Sequence, residues 1–303
     1  MFIGLKQRIE VVTNLEHDHP DCYPTYADMV TAFEKFVDLL PSDGALIACG
    51  DDAGALALSA HAGSKALKVI LYSLHDQPVG GSPHWMKARD LKRNDRGGFD
   101  FSVMTNLEGI DVSQVRGSLQ VPGDHNVRNA LASLCVAVLL GLPLQEAADA
   151  LSDFIGAGRR FEVRGEANGI LVIDDYAHHP TEIRATLAAA RSRYPHRRIW
   201  AVWQPHTYSR TRTLFEEFLG AFPDADRVLV TEIYASREAR QDFSSTEVVN
   251  YMSHPSARYS GSLQETSDIL MKELRPGDVL IVLSAGDADR ISANVLKGLQ
   301  EGS

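Results

Sequence analysis

Cysteine is scarce. The three in the chain, Cys22, Cys49 and Cys135, lie far apart and match no metal-ligand or redox spacing. That excludes a disulfide scaffold and fits a reducing cytoplasm. No apolar run approaches the roughly 18 residues that a membrane span requires, and the amino terminus has no signal-peptide pattern, so no membrane role is expected. Basic stretches are missing too. Lys and Arg number 30 against 40 Asp and Glu, a net charge of −10, which argues against nucleic acid or an anionic membrane surface as partner. A local basic cluster in such a chain would sooner hold a phosphorylated or carboxylated small molecule. Repeats of solenoid length and low-complexity segments are absent. So is any G-x-x-x-x-G-K-[ST] stretch, since Gly63-Ser64-Lys65-Ala66 is not one, and no phosphate cradle for a nucleoside triphosphate is visible.

What is present is apolar periodicity. A hydrophobic fraction of 44% over 303 residues suffices for two α/β domains of ordinary size. Met1-Phe2-Ile3-Gly4 leads almost at once into a strand over residues 8–13, as expected of a chain that begins inside a domain. The spacing then predicts a helix over Thr25–Leu40, a strand at Ala45–Cys49, a short helix from Ala53 and a strand at Lys68–Tyr72. This β-α-β-α-β order implies a parallel sheet with right-handed crossovers. Residues 75–100 show little period and read as loops around short edge strands. A long helix, with Asp124 as its cap, runs to Gly141. A shorter one follows Pro143 and carries Leu144 to Ile155 on one face. Gly156-Ala157-Gly158 is the expected boundary, dividing the chain into domains at 1–156 and 157–303.

Past residue 168 one design repeats: a strand, a polar strand end, a helix. Ile170–Ile173 ends in Asp174-Asp175-Tyr176-Ala177-His178-His179-Pro180-Thr181-Glu182. Ile199–Trp203 ends in Gln204-Pro205-His206-Thr207-Tyr208-Ser209-Arg210-Thr211. Val228–Val230 ends in Thr231–Tyr234, and Val279–Leu283 in Ser284–Asp287. A parallel sheet would align all four ends along one rim, where open α/β sheets bind ligands. The alternative for the first cluster is a polar loop that merely caps the helix, although capping alone needs one such residue, not five.

Other constellations stay open at this level. Glu16-His17-Asp18-His19-Pro20-Asp21 has the composition of a divalent-cation site, Mg²⁺ taking few protein ligands, or of a solvated capping loop. His125 and Asn129 lie one turn apart on a helix face and would suit a purine, though Asn at a helix start is common. Arg159-Arg160 could clamp phosphates or be a solvated pair. Arg210 could hold a carboxylate, with His206 orienting it or relaying a proton. As a rim charge, Arg210 is expected to contribute only ~0–1 kcal/mol to stability.

Taken together, Thr13-Asn14-Leu15-Glu16…Asp18-His19…Asp21, Gly123-Asp124-His125-Asn126…Asn129-Ala130, Arg159-Arg160-Phe161-Glu162 and the Asp174–Glu182 and Gln204–Thr211 blocks make the chain resemble the Mur ligases, the ATP-dependent amino-acid ligases of peptidoglycan synthesis. The resemblance extends over nearly all 303 residues. It implies part of a central ATPase domain, a mostly parallel sheet with helices, followed by a Rossmann-like, doubly wound C-terminal domain. It implies ATP, L-alanine and UDP-N-acetylmuramate as small-molecule partners, Mg²⁺ as cofactor, and an acyl-phosphate intermediate. By the same resemblance His19 is a Mg²⁺ ligand, His125 and Asn129 touch adenine, and Arg160 with Asp174 or Asp175 contacts phosphate and ribose. Tyr176, His178, His206 and Arg210 form the pocket for the incoming alanine, with His178, His206 and Arg210 catalytic.

The departure is at the start: the family's UDP-sugar domain and phosphate-binding loop are not in this sequence. The expectation is a ligase fragment, inactive alone, with a separate chain as one possible source of the remainder. The competing readings are a non-catalytic nucleotide- and amino-acid-binding descendant, or a metal hydrolase built on the His/Asp clusters. A descendant without turnover should have lost His178, His206 or Arg210, and all three are present.

Overall fold

The computed structural model describes residues 4–75, 84–110 and 115–302. The expected features at residues 1–3 and 76–83 lie outside them. The chain divides into two compact units, Met1–Ile155 and Gly156–Ser303.

The first unit has the order β1 (Ile9–Val12), α1 (Tyr26–Val37), β2 (Ala45–Cys49), α2 (Ala53–Ser64), β3 (Lys68–Ser73), β4 (His84–Arg93), β5 (Phe99–Thr105), β6 (Arg116–Ser118), α3 (Asp124–Leu139) and α4 (Leu144–Leu151). Its single sheet runs β1-β2-β3-β4-β5-β6. The first four strands pair in parallel and the last three antiparallel. β2 is apolar throughout and β3 is apolar from Val69 to Tyr72, as expected of strands covered by helices. The predicted helices are here, with sharper ends. Thr25 caps α1 in a reciprocal box with Asp28. Gly123, at φ 93°, precedes α3 in a conformation that favours glycine, so Asp124 is the first helical residue and not the cap. α4 stops at Leu151, leaving Phe154 and Ile155 beyond it and exposed. The larger correction is β4. Where loops around short edge strands were expected, ten residues form one full internal strand between β3 and β5, bulged where Asp90 takes φ 55° and the register with β5 shifts between Arg89 and Lys92.

The second unit comprises β7 (Glu162–Ala167), β8 (Ile170–Asp175), α5 (Pro180–Arg193), β9 (Arg198–Trp203), α6 (Tyr208–Thr213), α7 (Phe215–Leu219), β10 (Arg227–Thr231), α8 (Ser245–Tyr251), β11 (Ala257–Gly261), α9 (Leu263–Glu273), β12 (Asp278–Leu283) and α10 (Asp289–Glu301). The sheet order is β11-β10-β9-β12-β8-β7. Every pair is parallel except β7 with β8. Alternation along the strands builds two cores. Leu171, Ile173, Ala201, Trp203 and Ile281 pack toward α5, α7 and α8. Ile170, Val172, Trp200, Leu280 and Val282 pack toward α9 and α10. Two covered faces make the doubly wound arrangement expected from the repeated strand–helix order.

Candidate functional site

The register levels the strand ends of the second unit. Asp175 pairs with Leu283, Leu283 with Trp203, and Trp203 with Val230, so the loops after β8, β12, β9 and β10 leave from one rim. An isolated parallel bridge, His206 with Tyr234, prolongs the β9–β10 pairing past the strands. Tyr234 N–H donates to Pro205 O at 2.9 Å, and Thr207 N–H donates to Tyr234 O at 2.9 Å.

Four rings stand in a row across these loops. Tyr176 meets His178 edge-on with centroids 5.4 Å apart, His178 meets His206 at 5.7 Å, and His206 stacks on Tyr234 at 5.7 Å and 25°. Arg159 and Arg160 both lie over the Tyr176 ring, at 5.2 and 5.3 Å. Arg210 donates from Nη1 to Nδ1 of His206 at 2.8 Å, which assigns the His206 proton to Nε2 when the ring is neutral. Arg210 is not a solvated rim charge as expected: it is 2% exposed, lying under His206 on the first turn of α6. That turn is clasped by Glu238, which accepts from Tyr208 N at 2.6 Å, from Ser209 N at 3.1 Å and from the Ser209 hydroxyl.

Two further ties hold the rim rigid. Gln204 Oε1 accepts from Ser284 Oγ at 2.7 Å and Ala288 N at 3.2 Å, while its Nε2 donates to Asp287 Oδ1 at 2.9 Å. Gly286 sits so close that a Cβ there would fall 2.4 Å from Gln204 Oε1 and 2.7 Å from the Tyr234 ring. Arg159 donates from Nη2 to Ser284 O at 2.7 Å. The arginine pair thus divides: Arg159 binds the β12–α10 loop, whereas Arg160 is about half exposed, with Glu182 at 3.5 Å.

The two aspartates also divide. Asp175 accepts from Phe161 N and Ala177 N, both at 2.7 Å, one on each carboxylate oxygen. Its oxygens serve the backbone. Asp174 accepts from Ser292 Oγ at 2.7 Å through Oδ1, while its buried Oδ2 has no hydrogen-bond partner among the described residues, Arg164 Nε standing 3.8 Å away.

In the first unit, His125 and Asn129 lie on the first turns of α3, joined through Asn126: its Nδ2 reaches His125 Nε2 at 3.2 Å, and Asn129 Nδ2 reaches its Oδ1 at 3.5 Å. The loop before α1 bends at His19 (φ 52°), whose Nε2 lies 3.6 Å from Asp18 Oδ2. His17 Nε2 instead pairs with Tyr23 O at 2.9 Å. Among the described residues no group of three or more His, Cys, Asp or Glu side chains converges to hold a metal ion. The Glu16–Asp21 stretch is therefore not a closed cage, and His19 with Asp18 offers only part of a shell.

The pattern that defines the Mur ligase middle domain matches residues 2–137, and that of the Mur ligase glutamate ligase domain matches residues 159–286. The chain belongs to the Mur ligase family. It is 38% identical over 319 residues to the UDP-N-acetylmuramate–L-alanine ligase of Roseiflexus sp. (strain RS-1), covering 99% of this chain and 65% of that protein. The enzyme of the same name from Chloroflexus aggregans is 38% identical over 311 residues, covering 99% and 64%. The crystal structure of UDP-N-acetylmuramate–alanine ligase from Thermotoga maritima shares the fold, with a TM-score of 0.75 at 24% identity, over 99% of this chain and 61% of that one. This Mur ligase chain thus spans less than two thirds of the length of these relatives. Among its described residues no helix is long and apolar enough to cross a membrane.

Sequence reasoning named the polar blocks of this Mur ligase chain, Gln204 and Tyr234 among them, but missed Glu238, and it did not separate Arg159 from Arg160. Glu238 acts through a tertiary contact that no local pattern announces, and the contact of Arg159 with Ser284 O is likewise non-local. Burial pushes the Asp174 carboxyl up to about 6, against the Ser292 hydrogen bond and Arg164, which lower it. The folded value lies above the unfolded one, so this group's contribution to stability is complete below pH 3.8 and is lost as pH rises through about 6. In urea unfolding, the difference between wild type and Asp174→Asn should therefore shift in favour of Asn by on the order of 2–3 kcal/mol between acidic and mildly alkaline pH. A pH-independent difference would refute it.

Proposed function

We propose that this chain supplies the middle and C-terminal portions of an ATP-dependent, cytoplasmic UDP-N-acetylmuramate–L-alanine ligase of peptidoglycan synthesis. The observation that carries the reading is the buried Arg210, locked to His206 beside the row Tyr176–His178–His206–Tyr234. A desolvated guanidinium suits the carboxylate of an amino acid, and imidazoles beside it suit the proton that its ammonium must lose. The names of the relatives support the substrate pair.

In the proposed reaction the UDP-N-acetylmuramate carboxylate attacks the γ-phosphorus of ATP, giving an acyl-phosphate and ADP. The deprotonated amine of L-alanine attacks the acyl carbon, and the tetrahedral intermediate expels phosphate to leave the amide. Arg210 holds the alanine carboxylate, His206 is oriented by Arg210, and Tyr176 and His178 flank the amine. Asp174, with an oxygen to spare, takes a ribose hydroxyl, and Arg160 takes phosphate. His125 and Asn129 take the adenine. Bound Mg²⁺ would neutralise phosphate charge, with His19 as its ligand from this chain and water or phosphate completing the shell.

The 303 residues contain no G-x-x-x-x-G-K-[ST] loop to position the transferring phosphoryl group. Alone, with ATP, Mg²⁺, L-alanine and UDP-N-acetylmuramate, the chain should release no ADP above background. Joined in frame to the remaining third of the Roseiflexus relative, it should release ADP only when both L-alanine and UDP-N-acetylmuramate are present. Turnover by the chain alone, or a joined protein that requires a different amino acid, would overturn the proposal.

A further inference from the structure

Glu182 lies outside the alanine pocket described above, yet it ties together several groups on the rim. It sits at the third position of α5 and completes a reciprocal capping box with His179. Its Oε2 accepts from His178 N at 3.0 Å and from His179 N at 3.2 Å. The same oxygen stands 3.3 Å from His178 Nδ1. That nitrogen also lies 2.9 Å from Tyr176 O. A carbonyl and a carboxylate can only accept, so Nδ1 must carry the hydrogen. The lone pair of neutral His178 is then on Nε2, on the far side of the ring from Glu182.

Capping alone does not account for this arrangement. A capping box needs the backbone N–H of the cap residue, and Glu182 meets that requirement through His179. The approach to an imidazole nitrogen is additional. It repeats the logic by which a carboxylate fixes the tautomer of a catalytic histidine and stabilises its protonated form. Glu182 is suited to this because it stays ionised. Burial pushes its carboxyl up, but His178, the backbone N–H groups and Arg160 outweigh burial and hold it below the usual range.

We infer that Glu182 is a positioning residue that fixes His178 with Nδ1 protonated and Nε2 presented as the proton acceptor for the substrate amine. The inference rests on the ligase reading for the identity of the amine, but its geometric content does not. In the step concerned, an N–H bond of the alaninium breaks, a proton–Nε2 bond forms, and the nitrogen keeps the electron pair with which it attacks the acyl carbon. The imidazolium afterwards returns its proton to water. Charged groups reach His178 from several elements. Glu182 approaches from α5. Arg160 and Arg159, before β7, act through Glu182 and the Tyr176 ring, and Asp175 lies at the end of β8. His206, 5.7 Å away with Arg210 beneath it, follows β9. A change confined to the Glu182 charge is therefore the informative one.

Glu182→Gln keeps an oxygen for the capping box and removes the charge. The test is long-range ¹H–¹⁵N NMR of the 303-residue chain labelled at histidine, followed through pH. Wild-type His178 should show the Nδ1–H tautomer when neutral. Its titration midpoint in Glu182→Gln should lie about one pH unit lower than in wild type. An Nε2–H tautomer in the wild type would overturn the inference without using any variant, and so would an unchanged midpoint in a folded Glu182→Gln chain. In the joined ligase, the acid limb of kcat/KM for L-alanine should move in the same direction, and an unmoved limb would also overturn it. Because the NMR arm requires no turnover, failure of the Glu182–His178 pair and failure of the ligase reading are distinguishable.

Discussion

Asp278→Ala should destabilise the second unit by about 4 kcal/mol, the largest stability loss anticipated for a single polar substitution in it. Asp278 begins β12 at the rim opposite the site and is 3% exposed. Its carboxylate receives Arg198 Nε at 2.9 Å and Nη2 at 2.7 Å, a two-pronged pair. Oδ2 also accepts from Trp200 Nε1 at 3.2 Å and from Arg275 N at 2.8 Å. Truncation would strand a buried indole N–H, a backbone N–H and one side of a guanidinium together, each costing about 1–3 kcal/mol when left unsatisfied. Most ion pairs here are surface pairs worth little, such as Lys297 with Glu301, so their removal sets the baseline. The measurement is urea unfolding followed by fluorescence of Trp200 and Trp203. A loss below about 1 kcal/mol would place Asp278 among the surface pairs and refute the prediction.

The largest functional loss is expected at Arg210. In the joined ligase, Arg210→Lys should lower kcat/KM for L-alanine by roughly two to three orders of magnitude. Lysine keeps the charge but cannot hold His206 Nδ1 and a carboxylate at once through a planar fork. The effect should fall mainly on the alanine step, leaving the apparent affinity for ATP near that of wild type. Stability should fall as well, by about 1–3 kcal/mol, because Arg210 is itself buried and its hydrogen bond to His206 Nδ1 would be lost. That departs from the near-neutral effect expected of a rim charge. Activity within a few-fold of wild type would remove Arg210 from the proposed pocket.

Much of the second unit was legible because its strands are apolar runs closed by abrupt polar ends. Ile170–Asp175 and Arg198–Trp203 are buried on both faces, and Pro180 starts α5 where its missing N–H costs nothing. β4 was not legible, since His84–Arg93 buries only its middle and carries five charged residues. Within the site, residue types were readable but their division of labour was not. That Asp175 serves the backbone while Asp174 keeps a buried oxygen without a hydrogen-bond partner among the described residues depends on which way each faces its neighbours. That Arg210 is buried depends on Glu238 and Thr207, which fold α6 down over the strand ends. Glu182 read only as the last member of a polar cluster and is also a partner of His178.

The place of β12 in the sheet sets the order in which this site can come into being. It is the last of this sheet's six strands in sequence, yet it lies between β8 and β9, which pair with it and not with each other. Until residues 278–283 have left the ribosome, the strands carrying Asp174 and Trp203 have no common neighbour to level them. A nascent chain that stops short of Asp278 can form the β9–β10–β11 ladder and the β7–β8 hairpin as separate pieces. The row from Tyr176 to Tyr234 cannot be assembled from those pieces. Insertion of β12 brings in contacts distant in sequence, the slow kind to form. The complete pocket is therefore assembled only once β12 is in place, and a chain that ends before it carries at most the His206–Tyr234 half of the row.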